Sequence, residues 1–286
     1  MSLVSAGLAM YALLAVFPSL AAAVSIYGIF SSPDDVIKDM SGFVAVLPPG
    51  AWDIFAAQLK EVSSHAGGTL TATAAVALLV SLWSARSGMA SLMTATNIAY
   101  SEREKRGFIR QLLVSIGFTA GAICGFLTML LLGIAVPLAL SGLGVGAGAE
   151  IAVGLLRWVL LWLVAIGGLA VIYRYAPARR RAQWRWVTWG SVIAATLWLI
   201  GSLLFALYVR TFGTYGKTYG ALGGVIVLLM WFYLSSFIVV LGAEINSEME
   251  RQTTRDTTEG PEKPLGQRGA YAADTVGPSA GHNRNS

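Results

Sequence analysis

Long apolar stretches alternate with short polar connections along most of the chain. Six of these stretches are long enough for a helix that crosses a hydrocarbon layer of ~30 Å. They lie at about 3–30, 70–95, 111–140, 151–173, 187–209 and 219–243. The last is the clearest, because no charged residue occurs from Thr218 to Ala243 and polar residues follow at once. The pattern predicts an all-α, polytopic membrane protein, a bundle of six transmembrane helices.

The first apolar stretch, at 3–30, has no basic residue before it. A signal peptide begins with basic residues and has a shorter apolar core, so we interpret this stretch as a spanning helix. Pro18 lies near its middle, where proline removes a backbone hydrogen bond and bends a helix. Two interpretations stay open for Pro18: a kink that improves packing, or a broken helix that lines a cavity.

Residues 31–68 have a more polar, amphipathic pattern. Ser32, Pro33 and Asp34 suit the start of a helix. Apolar residues then recur at helical spacing on both sides of the proline pair at 48–49. We predict two short amphipathic helices between spans 1 and 2, which lie on the membrane surface or cap the bundle. The alternative use is a gate or a surface for a partner.

Basic residues concentrate in two connections. Residues 101–110 contain four Lys or Arg and residues 174–186 contain five, whereas the other connections contain few. The positive-inside rule then places both connections and both termini in the cytoplasm. The Arg and Trp residues of 174–186 resemble a nucleic-acid patch, but beside two spans we interpret them as an interfacial anchor. Residues 1–251 are the membrane domain, and the polar residues 252–286 are predicted to be a disordered cytoplasmic tail.

The composition indicates that most of the chain is surrounded by lipid. The 286 residues are 56% hydrophobic and 12% charged, with a mean hydropathy of +0.66, which excludes an ordinary soluble domain. Cys124 is the single cysteine, so no intrachain disulfide forms, and the distant His65 and His282 make no metal cluster. Phosphate-loop, zinc-protease and Ser-His motifs are missing from the sequence. We therefore predict no enzyme activity, no cofactor and no metal.

Polar residues inside or beside the spans are the candidate functional residues. Arg86 interrupts the second span, where a charge costs a few kcal/mol, so it faces the bundle interior, water or a carboxylate. The alternative is that its long side chain reaches the head groups. Glu244 falls on the same side in this topology, and we predict that the two pair or line one water-filled cavity. The complete candidate set for this cavity or pairing is Arg86, Glu244, Asn246, Asn97, Pro18 and Tyr219.

Three segments carry a family pattern in this order: SAGLAMYALLAVFPSLAAAVSIYGIF, LWSARSGMASLMTATNIAYSEREKRGF and YGALGGVIVLLMWFYLSSFIVVLGAEINSEME. Together they resemble the YihY/BrkB family of bacterial inner-membrane proteins, over roughly residues 3–251. The resemblance implies a six-helix integral protein of the cytoplasmic membrane. Family members usually have a cytoplasmic stretch before the first span, so we expect that this chain is truncated at its N-terminus.

The resemblance also implies a link to serum resistance in a pathogen, and the family was once labelled ribonuclease BN. RNA hydrolysis needs an acid and base pair or metal ligands, and the sequence contains neither, so we predict no ribonuclease activity.

Two functions stay open. One is a transporter- or permease-like protein, in which Pro18, Arg86 and the glycines before the last span form a path. The other is a non-transporting, envelope-integrity protein that binds lipid or partner subunits. Membrane lipids are the expected partners, a homo-oligomer stays open, and nucleic acid is not expected.

Overall fold

The computed structural model describes residues 1–27, 72–130, 147–212 and 221–277. Six long helices and one short helix occur in these residues: α1 (Ser2–Tyr27), α2 (Ala72–Ala99), α3 (Phe108–Leu130), α4 (Ala147–Tyr175), α5 (Trp184–Phe212), α6 (Ala221–Arg251) and α7 (Tyr271–Asp274). Within these ranges the chain has no strand, only an isolated antiparallel bridge between Ala182 and Thr258. The prediction of an all-α protein is confirmed.

Each of the six predicted apolar stretches overlaps one of the long helices, in the same order. Among the described residues, four helices contain a segment long and apolar enough to cross a membrane: Phe108–Gly125, Gly154–Tyr175, Trp184–Thr211 and Gly223–Arg251. Several membrane-crossing helices are therefore supported, while the count of six spans stays a prediction. The amphipathic helices predicted for 31–68 lie outside the described residues.

Small side chains fill the contacts between helices, and many large apolar side chains face outward. The buried small residues include Ser5, Ala9, Ala95, Ala99, Ser191, Ala194, Ala195 and Ala243. The exposed large residues include Leu155, Leu156, Trp158, Leu203, Leu204 and Leu207. In water, each Å² of exposed apolar surface would cost roughly 25 cal/mol, whereas lipid chains impose no such cost. This distribution is typical of helices that pack in a membrane.

Two compact units divide the chain. Among the described residues, the first contains 92–130, 147–197 and 238–277, and the second contains 2–27, 72–91, 198–212 and 221–237. In the second unit, Leu13 and Leu228 are buried together. This apolar contact joins α1 to α6, with Val225, Leu229 and Phe232 packed against it.

The first unit contains a close approach between α5 and α6. A Cβ atom at Gly190 would overlap the backbone oxygen of Gly242 and the side chain of Asn246. A Cβ atom at Gly242 would overlap the hydroxyl of Tyr173, which donates a hydrogen bond to the carbonyl oxygen of Val239 at 2.8 Å. Glycine at both positions therefore lets the two backbones touch, and α4 joins the same contact.

Residues 252–277, called here the C-terminal segment, are packed, although their composition predicts disorder. Arg268 is buried and donates hydrogen bonds of 2.6–3.1 Å to four backbone carbonyls, those of Thr254, Arg255, Lys263 and Ala273. Buried backbone groups outside helices and strands need hydrogen-bond partners, and Arg268 is the partner of four such carbonyls here. The prediction of disorder is wrong for this segment. It was based on the low content of bulky apolar residues and left out hydrogen bonds to the backbone. Residues 278–286 lie outside the described residues.

Candidate functional site

A buried ion pair joins the end of α6 to residues 176–183, the connection between α4 and α5. The Nη1 and Nη2 atoms of Arg179 donate hydrogen bonds of 2.8 and 2.7 Å to the two carboxylate oxygens of Glu250. Both side chains are 0% exposed. Two parallel hydrogen bonds fix the direction of the pair as well as its distance.

An aromatic ring and a hydroxyl complete the surroundings of this pair. The guanidinium carbon of Arg179 lies 4.1 Å from the ring centroid of Tyr100, which is itself fully buried. The hydroxyl of Thr257 donates a hydrogen bond to Oε2 of Glu250 at 2.8 Å. A cation over an aromatic face is most favourable where water is excluded, as it is here. We call Asn97, Tyr100, Arg179, Asn246, Glu250 and Thr257 the Arg179 cluster.

Arg179 and Tyr100 each keep one protonation state at neutral pH. Burial lowers the pKa of Arg179, but the charge and hydrogen bonds of Glu250 more than offset this effect and the pKa is raised. Burial also raises the pKa of the Tyr100 phenol well above its usual range, although Arg179 opposes the change. Arg179 therefore stays charged and Tyr100 stays neutral, so neither side chain exchanges a proton near pH 7.

Asn97, near the end of α2, bridges the two basic connections, 101–110 and 174–186. Its Oδ1 accepts a hydrogen bond from the backbone N–H of Ala178 at 2.7 Å. Its Nδ2 donates to Oε2 of Glu104 at 3.0 Å. Arg106 completes the link, because its Nη2 donates to the carbonyl oxygen of Ala176 at 2.7 Å. The predicted site residue Asn97 thus holds the two connections together.

Glu104 and Arg106 form a second, more exposed pair in the same region. The Nε and Nη2 atoms of Arg106 donate to the Glu104 carboxylate at 2.7 and 2.8 Å, and its backbone N–H donates at 3.0 Å. The side-chain hydrogen bonds of Arg106 lower the pKa of Glu104 to about 2, against the opposing effect of partial burial. This carboxylate is ionised wherever the protein is folded at ordinary pH.

Asn246 lies one helical turn before Glu250 on α6 and is fully buried. Its Oδ1 accepts a hydrogen bond from the backbone N–H of Gly190 at 2.8 Å, and its Nδ2 donates to the carbonyl oxygen of Val187 at 3.3 Å. The side chain therefore ties α6 to the first turns of α5. A buried amide needs such partners, because leaving it unpaired costs ~1–3 kcal/mol.

The helix that carries Asn97 and Tyr100 ends in a sharp turn. Ser101 adopts a φ of 54°, and its N–H donates to the carbonyl oxygen of Ile98 at 3.0 Å. The N–H of Glu102 donates to the carbonyl oxygen of Asn97 at 2.8 Å. These two bonds form a Schellman turn, in which glycine is usual at the position of Ser101. The turn lets Glu102 accept a 2.6 Å hydrogen bond from the backbone of Tyr271 in the C-terminal segment.

The C-terminal segment neutralises much of the arginine-rich connection. Arg174 lies 3.1 Å from a carboxylate oxygen of Glu259, and Arg180 lies 3.8 Å from one of Asp256. The backbone N–H of Gln183 donates to the carbonyl oxygen of Thr257 at 2.9 Å. Arg174, Arg179 and Arg180 therefore have carboxylate partners within the protein, while the interpretation of 174–186 as an interfacial anchor stays a prediction. Arg181 and Arg185 are the exposed arginines of this connection.

Two of the six candidate site residues lie in the Arg179 cluster: Asn97 accepts a hydrogen bond from the residue before Arg179, and Asn246 lies one helical turn before Glu250. Glu244 is half-buried on α6 in the same unit. Arg86 belongs to the other unit, and its guanidinium lies 5.1 Å from the ring centroid of Trp83. The pairing of Arg86 with Glu244 stays a prediction. Pro18 lies inside α1, which runs from Ser2 to Tyr27, and Tyr219 lies outside the described residues.

Sequence reasoning did not identify Tyr100, Arg179 or Glu250 as site residues. Arg179 is one of five basic residues in its connection, and nothing in the sequence separates it from its neighbours. A usable signal was present on α6, where Gly242, Asn246 and Glu250 recur every four residues and so share one helix face.

Comparison with known proteins gives consistent matches. The family model described as virulence factor BrkB matches residues 1–266. The putative ribonuclease-like protein YfkH of Bacillus subtilis is 32% identical over 259 residues, which cover 87% of this chain and 90% of that protein. A UPF0761 membrane protein of Tolumonas auensis is 35% identical over 96 residues, 34% of this chain and 31% of that protein. The UPF0761 membrane protein IL2447 of Idiomarina loihiensis is 37% identical over 94 residues, 32% of this chain and 33% of that protein. No solved structure matches the chain.

Proposed function

We propose that this chain, which belongs to the virulence factor BrkB family of integral membrane proteins, is a transporter- or permease-like protein whose Arg179 cluster closes one end of its path. The buried pair of Arg179 and Glu250 carries the proposal. A buried ion pair adds little net stability, because taking two charges out of water costs about as much as their attraction returns. Such a pair suits a part of the protein that has two alternative arrangements.

The elements that meet at the cluster support its role as a gate. Arg179 lies on a connection and Thr257 lies in the C-terminal segment, so both can move away from Glu250 without unwinding a membrane helix. Opening would expose Arg179 and Glu250 to water, where each charge is well solvated. The closed state replaces that solvation with hydrogen bonds inside the protein, so the two states can be close in free energy.

We place the gate on the cytoplasmic side of a multi-pass protein of the bacterial inner membrane, with both termini in the cytoplasm. The positive-inside rule supports this orientation, because the basic connections 101–110 and 174–186 both reach the cluster. The hydrogen bond between Asn97 and Ala178 is one point where they are joined. Reporter fusions after Arg181 and after Gly277 should both give cytoplasmic signals.

Osmotic swelling of proteoliposomes tests transport without a known substrate. Purified protein is placed in liposomes, and swelling is followed by light scattering in a panel of iso-osmotic sugars, amino acids and salts. We expect at least one solute to enter faster than it enters empty liposomes. Thr257→Val removes one hydrogen bond to a buried carboxylate, worth roughly 1.5–3 kcal/mol, and should raise that rate about tenfold or more.

Thr254→Val is the matched control, because Thr254 lies in the same segment and is exposed. Its swelling rate should equal that of the unchanged protein. Equal rates for Thr257→Val and the unchanged protein would remove the gate from the proposal. Swelling no faster than in empty liposomes, across the panel and for every variant, would remove transport itself.

A second function is a non-transporting envelope-integrity protein that binds lipid or partner subunits. One observation favours it: Asn97, Asn246 and Glu250 all have hydrogen-bond partners within the chain, as a permanent clamp would require. This function predicts liposomes that retain every solute. It also predicts that cells without the protein lose resistance to serum or envelope stress and that the Thr257→Val variant restores it.

We further propose that the chain is not a ribonuclease, although the relative from Bacillus subtilis has a ribonuclease-like name. In the ranges that the structure describes, no three His, Cys, Asp or Glu side chains lie together as metal ligands would. Incubation of purified protein with RNA should leave the RNA intact. Hydrolysis that disappears after a single substitution in this chain would show the opposite.

A further inference from the structure

Two helices begin with exposed apolar side chains next to an exposed arginine. At the start of α3, Phe108 is 71% and Ile109 is 72% exposed, and Arg110 follows. At the start of α5, Trp184 is 49% exposed and Arg185 follows, also exposed. Phe108 and Trp184 are also the first residues of two segments that are long and apolar enough to cross a membrane. A helix that crosses the membrane from either residue would place these side chains near the lipid head groups.

Arg110 and Arg185 differ from three other arginines nearby in having no carboxylate partner in the part of the chain that the structure describes. Arg106, Arg174 and Arg179 each lie within 3.1 Å of a carboxylate oxygen. Among the described residues, no carboxylate lies within ion-pair distance of Arg110 or Arg185. The guanidinium of Arg185 lies 5.4 Å from the ring centroid of Trp186, a contact that leaves its charge uncompensated. An exposed guanidinium without a carboxylate partner attracts an anion, and the amide N–H groups of a helix start add to that attraction.

We propose that Phe108–Arg110 and Trp184–Arg185, called here the head-group sites, bind anionic phospholipids through their phosphate groups. An indole at the interface prefers the boundary between water and hydrocarbon, which places Trp184 beside the ester region of a lipid. The guanidinium of Arg185 then reaches the phosphate. The inference does not depend on whether the protein transports a solute.

An apolar stripe continues from the first head-group site along α3. Ile109, Leu113 and Ile116 are 72%, 63% and 49% exposed and are spaced four and three residues apart, so they share one helix face. A lipid bound at Arg110 would lay its acyl chains along this stripe. A free phosphate or a nucleic acid has no group that would use the stripe, so the surface fits a phospholipid.

Lipid titration in neutral detergent tests the proposal. The purified full chain is titrated with phosphatidylglycerol or with phosphatidylcholine, and native mass spectrometry counts the bound lipids. We expect tighter binding of phosphatidylglycerol, weakened by 0.5 M salt because the attraction is electrostatic. The double variant Arg110→Gln/Arg185→Gln should bind phosphatidylglycerol about 25-fold more weakly, since each basic residue near an anionic surface contributes about fivefold.

Two matched variants separate charge from other effects. Arg110→Lys/Arg185→Lys keeps both charges and should retain most of the binding. Arg210→Gln removes one exposed arginine from the last turn of α5, the same helix that carries Arg185, and should bind phosphatidylglycerol normally.

Three results would each overturn the proposal. The first is equal binding of the two lipids by the unchanged protein. The second is an equal loss of binding in Arg210→Gln and in Arg110→Gln/Arg185→Gln. The third is full competition by inorganic phosphate at the same phosphate concentration. The last result would show that the sites hold a phosphate ion without its lipid. If the Gln variants fail to fold, equal binding of the two lipids by the unchanged protein still overturns the proposal.

Discussion

Arg179 and Glu250 share two hydrogen bonds, of 2.7 and 2.8 Å, while neither side chain is exposed to solvent. Glu250→Leu leaves the guanidinium buried without its counter-charge, which should cost roughly 3–5 kcal/mol of stability. The double variant Arg179→Met/Glu250→Leu removes both charges and should recover most of that loss. Thermal unfolding of the purified proteins in one detergent measures both variants against the unchanged chain.

A neighbouring pair on the same helix provides the control for burial. Arg251 and Glu248 lie 2.7 Å apart, but their side chains are 27% and 49% exposed. Glu248→Leu should therefore cost at most about 1 kcal/mol, because water solvates the remaining arginine. If the two single variants lost equal stability, burial would not be what makes the Arg179 pair important.

The close approach of α5 and α6 gives a prediction from sterics. Gly190→Ala places a methyl group against the backbone oxygen of Gly242 and the side chain of Asn246, so the helices must separate. Overpacking of this kind costs roughly 1–3 kcal/mol. Gly121→Ala on α3 is the control, since a Cβ there meets nothing within 4 Å and alanine favours the helix. Unfolding temperatures that fall for Gly121→Ala as much as for Gly190→Ala would contradict this account.

The positions of the helices follow from the sequence because long uncharged runs have few other stable forms in lipid. All six predicted stretches overlap a helix, but the ends are less accurate. The second stretch is predicted to end near 95, whereas α2 continues to Ala99. Its end is set by the positive φ of Ser101, and serine gives no such signal because glycine is the usual residue there.

The site was harder to predict because its partners are far apart in the sequence. Asn97 and Asn246 stand out as polar residues at the ends of spans, and both belong to the Arg179 cluster. Arg179 pairs with a residue 71 positions away, so only the fold selects it from among the neighbouring arginines. The order in the C-terminal segment was hard to predict for a similar reason. Arg268 donates hydrogen bonds to backbone carbonyls, and the amino-acid composition does not reveal such bonds.

The C-terminal segment should lose its order when Arg268 is replaced. Arg268→Gln removes most of the donors that hold the carbonyls of Thr254 and Ala273, which should cost about 2 kcal/mol or more locally. Limited proteolysis should then cut within 252–277 roughly thirty times faster than in the unchanged protein. Arg255→Gln alters an exposed side chain in the same segment and should leave the cleavage rate unchanged. Similar rates for all three proteins would mean that Arg268 does not hold the segment.

The predicted pairing of Arg86 with Glu244 is open to a direct test. Arg86→Glu and Glu244→Arg should each reduce folded protein in the membrane, because each places two like charges together. The combined variant restores opposite charges and should recover the yield of folded protein, measured by size-exclusion chromatography in detergent. Failure of the combined variant to improve on either single variant would remove the pairing.

Protonation of Glu104 in acid should lower the stability of the folded protein. Its hydrogen bonds with Arg106 hold its pKa at about 2 in the folded protein, below its ordinary value of 4.5. A carboxyl with a lowered pKa stabilises the fold fully above its ordinary pKa, and the effect is lost as the pH falls towards 2, because the unfolded chain binds the proton first. The difference in unfolding temperature between the unchanged protein and Glu104→Gln should therefore be constant above pH 5 and shrink between pH 4.5 and 2.5. At pH 6 it should correspond to at most about 1 kcal/mol, since water screens this partly exposed pair. A difference that stays constant down to pH 2.5, or that grows in acid, would show that Arg106 does not hold Glu104 in its ionised form.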